Sequence, residues 1–144
     1  MINRTKKYWT GEADGDIPQY LREYSEDEDI DVKSVVCHKC GKNIFELTVD
    51  ADEGAVKVKC TKCKTEKILL DGEEVWEECN PEAIKCPACK TGKKYNVKIG
   101  FIRRKNGDVK WVYIGNRCCR CGALGSVADW GINYSPTDEM EKNI

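Results

Sequence analysis

Two stretches of the chain alternate apolar and polar positions with the period of a half-buried strand. In the first, Phe45, Leu47 and Val49 are separated by Glu46 and Thr48, and Val56 and Val58 by Lys57. Between them lies Asp50-Ala51-Asp52-Glu53-Gly54, a hairpin turn by composition. The second stretch is longer, with a strand from about Lys94 to Arg104, the pair Asn106-Gly107, and a return strand from about Asp108 to Gly115. Asn-Gly between apolar runs marks a hairpin, because both residues tolerate the positive φ of a tight turn. Lys67 to Leu70 and Ala123 to Tyr134 read as further strands, one after each hairpin. Only one segment shows a helical period. Ile17, Tyr20, Leu21 and Tyr24 fall at i, i+3, i+4 and i+7, with Asp16 as the expected cap and Pro18 in the first turn. The acidic run Glu26-Asp27-Glu28-Asp29 ends that pattern and reads as a solvated linker. A helix this short is marginal alone, so its apolar face needs a dock. Glu73 to Cys79 reads as a short helix or an edge segment, ended by Asn80-Pro81.

Cysteines punctuate this pattern. Pairs with two intervening residues stand before and after each hairpin: Cys37 and Cys40, Cys60 and Cys63, Cys86 and Cys89, Cys118 and Cys121. A tight turn lets both thiolates of one pair face a common ion, and a hairpin returns the chain so that two pairs converge. Four thiolates suit tetrahedral zinc. Nineteen residues separate Cys40 from Cys60, within the expected zinc spacing, and 28 separate Cys89 from Cys118, where a longer hairpin accounts for the excess. Gly41 and Gly122 follow directly on two of the pairs, where a glycine eases the turn. The fold expected is therefore small and β-rich, with a short N-terminal helix and two consecutive zinc ribbons built on β-hairpins, holding two structural zinc ions per chain. Its divisions are a leader over residues 1–31, ribbon one over 32–72, a connector over 73–84, ribbon two over 85–134, and a polar, flexible tail over 135–144. Cys79 and Cys119 are left over; they are buried spectators, a redox pair or extra ligands.

Composition strengthens the metal reading. Apolar residues make up 40% of the 144-residue chain and Phe occurs twice, a thin supply for a core that must stand without a staple. The N-terminus is polar and unlike a signal peptide, and no run approaches the ~18 apolar residues of a membrane span. A cytoplasmic chain without a membrane partner is expected, in which thiols stay reduced and take up metal.

Charge is uneven. Residues 11–34 hold nine acids against Arg22 and Lys33, whereas residues 85–122 hold eleven basic groups against Asp108 alone. The two halves can attract one another, or the basic half can meet nucleic acid. Lys39, Lys42, Lys62 and Lys64 beside the first thiolate set, and Lys85, Lys90, Arg117 and Arg120 beside the second, also offset the charge of the sulfurs. Candidate nucleic-acid contacts are Lys98, Arg103, Arg104, Lys105 and Lys110 on the second hairpin, with Trp111 and Tyr113 interleaved; the same rings can equally be core.

Closed four-cysteine sites leave no position for water or substrate. The single histidine, His38, lies inside a cysteine pair, and no serine-nucleophile motif or phosphate-cradling loop is present. The chain reads as a non-enzymatic binding module for a protein partner, with nucleic acid as the alternative. Tyr8-Trp9 and the Tyr20/Tyr24 helix face offer an aromatic anchor of the kind interfaces favour.

The stretch Tyr8-Trp9-Thr10-Gly11 with Ile17-Pro18-Gln19-Tyr20-Leu21, and the longer Trp111-Val112-Tyr113-Ile114-Gly115-Asn116-Arg117-Cys118 running on through Cys121-Gly122, Leu124-Gly125 and Asp129-Trp130, resemble a group of uncharacterised bacterial proteins with paired Cys-x-x-Cys ribbons. The resemblance spans nearly the whole chain. It implies a compact tandem-ribbon protein of accessory or toxin-antagonist type, and brings no activity with it. It draws attention to Arg117 and Asp129. The wider likeness is to zinc-ribbon domains, whose ligands fall on the eight cysteines of the four pairs.

Overall fold

A computed structural model describes all residues 1–144. The chain is β-rich and antiparallel, with one helix in the leader and a single turn of helix at the C-terminus. Helix α1 spans Ile17–Ser25 and follows a 3-10 turn at Asp14–Asp16. Asp16 makes no side-chain cap. Its carboxylate instead accepts the N-terminal ammonium at 3.2 Å and the Glu12 N–H at 2.9 Å. The ammonium hydrogen bond comes first among the causes that hold this carboxyl below its usual range.

Strands follow in chain order: β1 Asp31–Ser34, β2 Phe45–Asp50, β3 Ala55–Cys60, β4 Glu66–Ile68, β5 Glu82–Ala83, β6 Tyr95–Arg103, β7 Val109–Cys118 and β8 Leu124–Gly131. Both hairpins form where the alternation places them. Strand β2 pairs β3 from Phe45 with Cys60 to Asp50 with Ala55, and β6 pairs β7 from Tyr95 with Cys118 to Arg103 with Val109.

The ribbons are not independent. One sheet runs β4-β3-β2-β6-β7-β8, joined across the ribbons by Phe45 against Tyr95. Strand β1, at the start of the expected ribbon one, pairs with β6 of ribbon two, Asp31 opposite Phe101. Strand β5, in the expected connector, pairs with β2 of ribbon one. Strand partners lie far apart in sequence here, so local periodicity reveals the strands and not their neighbours.

The main core covers one face of the sheet and crosses both ribbons: Phe45, Leu47 and Val58 meet Tyr95, Ile99, Phe101, Val112 and Ile114. The other face carries a smaller cluster of Ile2, Ile17, Leu21, Ile30 and Leu124, with Trp9, Tyr20 and Tyr113 packed against it. Helix α1 sits there because two glycines leave room. A Cβ on Gly100 would come within 2.5 Å of Ile30 Cδ1, and one on Gly115 within 2.9 Å of Leu21 Cδ1. Ile17 and Leu21 are fully buried in that seat. At about 1.5–3 kcal/mol for each such side chain, this contact supplies the tertiary packing that a nine-residue helix needs.

Residues 135–144, expected to be flexible, fold back. Helix α2 spans Asp138–Glu141, and Thr137 and Met140 are buried. The Thr137 hydroxyl accepts the Val109 N–H at 2.9 Å and donates to Glu141 at 2.9 Å. Asn143 donates its amide to the carbonyls of Ile68 and Leu70 at 3.1 and 2.7 Å. Polar residues misled because they serve here as hydrogen-bonding groups for the backbone of both ribbons rather than as a solvated end. No helix is long and apolar enough to cross a membrane.

Candidate metal centres

The four cysteine pairs make one local structure, repeated. In each, the residue after the second cysteine donates its N–H to the carbonyl of the first: Gly41 to Cys37, Lys64 to Cys60, Lys90 to Cys86 and Gly122 to Cys118, all at 2.8–3.0 Å. Closing that ring requires a left-handed residue, and φ is +78° at Gly41, +66° at Lys64, +68° at Lys90 and +81° at Gly122. The first cysteine N–H then bonds a carbonyl a few residues on, at Lys42, Thr65, Gly92 and Ala123. Glycine was legible as a signature at two turns; lysine occupies the same strained position at the other two.

These turns bring the sulfurs together. Cys37, Cys40, Cys60 and Cys63 form one cluster and Cys86, Cys89, Cys118 and Cys121 a second, each with all four sulfurs within 4.8 Å of one another. Across the turns, Cys37 lies 3.5 Å from Cys63, Cys40 3.4 Å from Cys60, Cys86 3.6 Å from Cys121 and Cys89 4.0 Å from Cys118. A zinc ion with thiolates at about 2.3 Å spaces its sulfurs by about 3.8 Å at tetrahedral corners. Both clusters have the size and donor set to hold zinc. Gly92 is part of the second: a Cβ there would lie 2.4 Å from Cys118 Sγ, and its N–H donates to Cys89 Sγ at 3.2 Å.

The thiols are unequal. Hydrogen bonds from the Thr65 side chain and backbone bring Cys63 down to about 6, and the Thr91 N–H, with help from Gly92 and Arg120, brings Cys89 down to about 5. Cys40 receives the Lys42 N–H, yet burial and the neighbouring sulfurs raise it to about 11. Burial raises Cys121 to about 12 and also raises Cys86. Within each cluster some protons leave easily while others are held, as expected when adjoining thiolates would repel one another. A divalent cation at the centre removes that conflict and lets all four ionise.

Cys119 and Cys79 stand outside the clusters. The Cys119 sulfur is 3.8 Å from Asn96 Oδ1, and Cys79 donates to the Trp76 carbonyl at 3.1 Å. His38 is exposed to solvent.

Arg117 does not face the sulfurs. Its guanidinium donates to the carbonyls of Gly11 at 2.8 Å and Glu12 at 2.9 Å, and to Asn96 at 3.3 Å, clamping the leader onto β7. Asp129 accepts the Trp111 indole N–H at 3.1 Å. Three of the five basic residues expected to meet nucleic acid have partners within the chain. Arg103 is held by Asp31 and Glu141, each at 2.8 Å. Lys98 donates to Ser34 at 2.7 Å and lies 4.0 Å from Asp14. Arg104 donates to the Ile132 carbonyl at 2.6 Å. Lys105 and Lys110 are exposed. Of the aromatic rings, Phe101 is core, Tyr113 packs beneath the leader, and Trp111 is 37% exposed.

No known protein family, curated protein or solved structure matches this chain.

Proposed function

We infer that the protein is a non-enzymatic interaction module in which two structural zinc ions hold a rigid β scaffold that binds another protein. The observation that carries this reading is the set of four sulfurs in each cluster, all within 4.8 Å of one another; together they would take every corner of a tetrahedral ion and leave none for water or substrate. When bound, zinc supplies the cross-link that the small core lacks. The chain positions the sulfurs through its four turns, lowers selected thiols with backbone N–H groups, and fixes the hairpins with a shared core. A protein partner is favoured over nucleic acid because Arg103 and Lys98 are engaged by Asp31, Glu141, Ser34 and Asp14 of the chain itself. The protein works where thiols stay reduced, as in a cytoplasm.

Native mass spectrometry of untagged protein purified from its own host tests this directly. Two zinc ions per chain together with a stoichiometric protein partner is the expected result. Fewer than two ions, or intact disulfides, overturns the metal reading. Tight binding to random DNA or RNA, falling steeply with salt, replaces the protein partner with nucleic acid.

A further inference from the structure

The two end strands of the run β4-β3-β2-β6-β7-β8 are treated differently. Strand β4 is three residues long, two of them charged, and the tail takes up the Ile68 carbonyl through Asn143. Such short, charged, covered edges resist pairing with other chains. Strand β8 is eight residues long and carries one charge, Asp129. The leader covers only its start: Thr10 bridges Ala123, and the Leu124 N–H donates to the Trp9 carbonyl at 2.8 Å. No strand of the sheet lies beyond β8.

A slot of about 420 Å³ opens beside this edge. Residues 123–127 form one side, Ile84 of the connector and Lys85 at the start of ribbon two another, and Tyr8, Tyr20 and Tyr24 of the leader complete the wall. Asn116 also lines it, 7% exposed, and its carboxamide oxygen is buried with no hydrogen-bond donor. A buried acceptor left unpaired is costly, and an incoming donor would relieve it. Lys85 is the one charged residue of the slot's lining, and Lys7 lines the adjoining cleft. Lys7 and Lys85 are exposed and make no ion pair. Glu23, which borders the adjoining cleft with Lys7, is held by Arg4 at 2.6 Å.

We propose that this slot binds an extended acidic and aliphatic segment of a partner protein, which adds to the β8 edge beyond Leu124. Backbone amides of the segment meet the strand edge and the Asn116 carboxamide. Aliphatic side chains lie among the tyrosines and Ile84, and carboxylates face Lys7 and Lys85. This is the strand-addition mode, in which the backbone gives affinity and alternate side chains give specificity. The leader already uses that mode at Thr10. A register shift beside Gly115 leaves Val127 as an extra residue in β8. The straight run available is therefore short, suited to a short segment rather than to edge-to-edge pairing of two copies. The proposal rests on the interaction-module reading and names the surface and the class of partner.

The test pans displayed random peptides on the zinc-loaded full chain, then titrates synthetic versions of the enriched ones while following backbone amide shifts. Enriched peptides should combine aliphatic and acidic residues and shift the amides of Gly125, Ser126 and Val127. Lys85→Glu should weaken binding about tenfold. Asn116→Leu should weaken binding while raising the unfolding midpoint of the free protein, because the orphan acceptor is gone; a purely structural asparagine would lower that midpoint. Shifts confined to another surface overturn the slot and leave the interaction-module reading standing. Failure to enrich any peptide, or affinity unchanged in both Lys85→Glu and Lys7→Glu, also overturns the slot. Single-stranded DNA that moves the same amides where peptides do not overturns the peptide assignment.

Discussion

Lys64 and Lys90 occupy the left-handed position that Gly41 and Gly122 fill in the sister turns. A side chain there costs about 1–2 kcal/mol, part of which glycine gives back as unfolded-state entropy. Lys64→Gly should therefore raise stability in zinc by about 0.5 kcal/mol, read by chemical denaturation. Lys64→Val should lower it, since a branched side chain tolerates this backbone worst. The leftover cysteines give a second residue-scale outcome. Cys119→Ala should keep two metal ions per chain in native mass spectrometry, and Cys118→Ala should keep one, because only Cys118 belongs to a cluster. Ligand identity was legible in the sequence because two-residue spacing is a local property of a turn. The role of Arg117 was not. Its partners in the leader lie 105 and 106 residues away along the chain, and nothing near Arg117 signals carbonyls that distant.

At the scale of elements, α1 and the tail show where periodicity succeeds and where it stops. The spacing of Ile17 and Leu21 marked the buried face of α1 correctly, while the seat beneath it depends on Gly100 and Gly115 of two other strands. Gly100→Ala should unseat the helix at a cost of roughly 1–3 kcal/mol, and limited proteolysis should then cut the leader earlier than the ribbons. Helix α2 is tied down by charge. Burial alone would raise the Glu141 carboxyl, but hydrogen bonds from Arg103 and Thr137 hold it below its ordinary 4.5. A carboxyl lowered on folding stabilises the fold above its unfolded value, and that contribution is lost as pH falls through the folded value. Glu141→Gln should thus lower the melting temperature at pH 7 and have little effect near pH 3, as measured by thermal denaturation across that range. The tail escaped notice in the sequence because Thr137, Glu141 and Asn143 act through partners on both ribbons, and a polar run looks the same whether those partners exist or not.

Across the whole molecule, the continuous sheet, the shared core and the strap of the tail predict one cooperative unit, a matter that the cysteine spacing alone left open. Cys37→Ser, which disables the first centre, should lower a single calorimetric transition; a surviving separate transition for the second ribbon would contradict that unity. Complete chelation should unfold the entire chain, visible as loss of strand signal in circular dichroism. The clamp from Arg117 to Gly11 also sets a timetable for the newborn chain. A ribosome adds about 5–20 residues each second, so roughly 5–20 s pass between the appearance of the leader and that of the residues that receive it. Throughout that interval Ile17, Leu21 and Trp9 travel without shelter. A chain cut short before Arg117 lacks the guanidinium that receives the Gly11 and Glu12 carbonyls, so its leader should be cut by protease sooner than that of a chain that contains it.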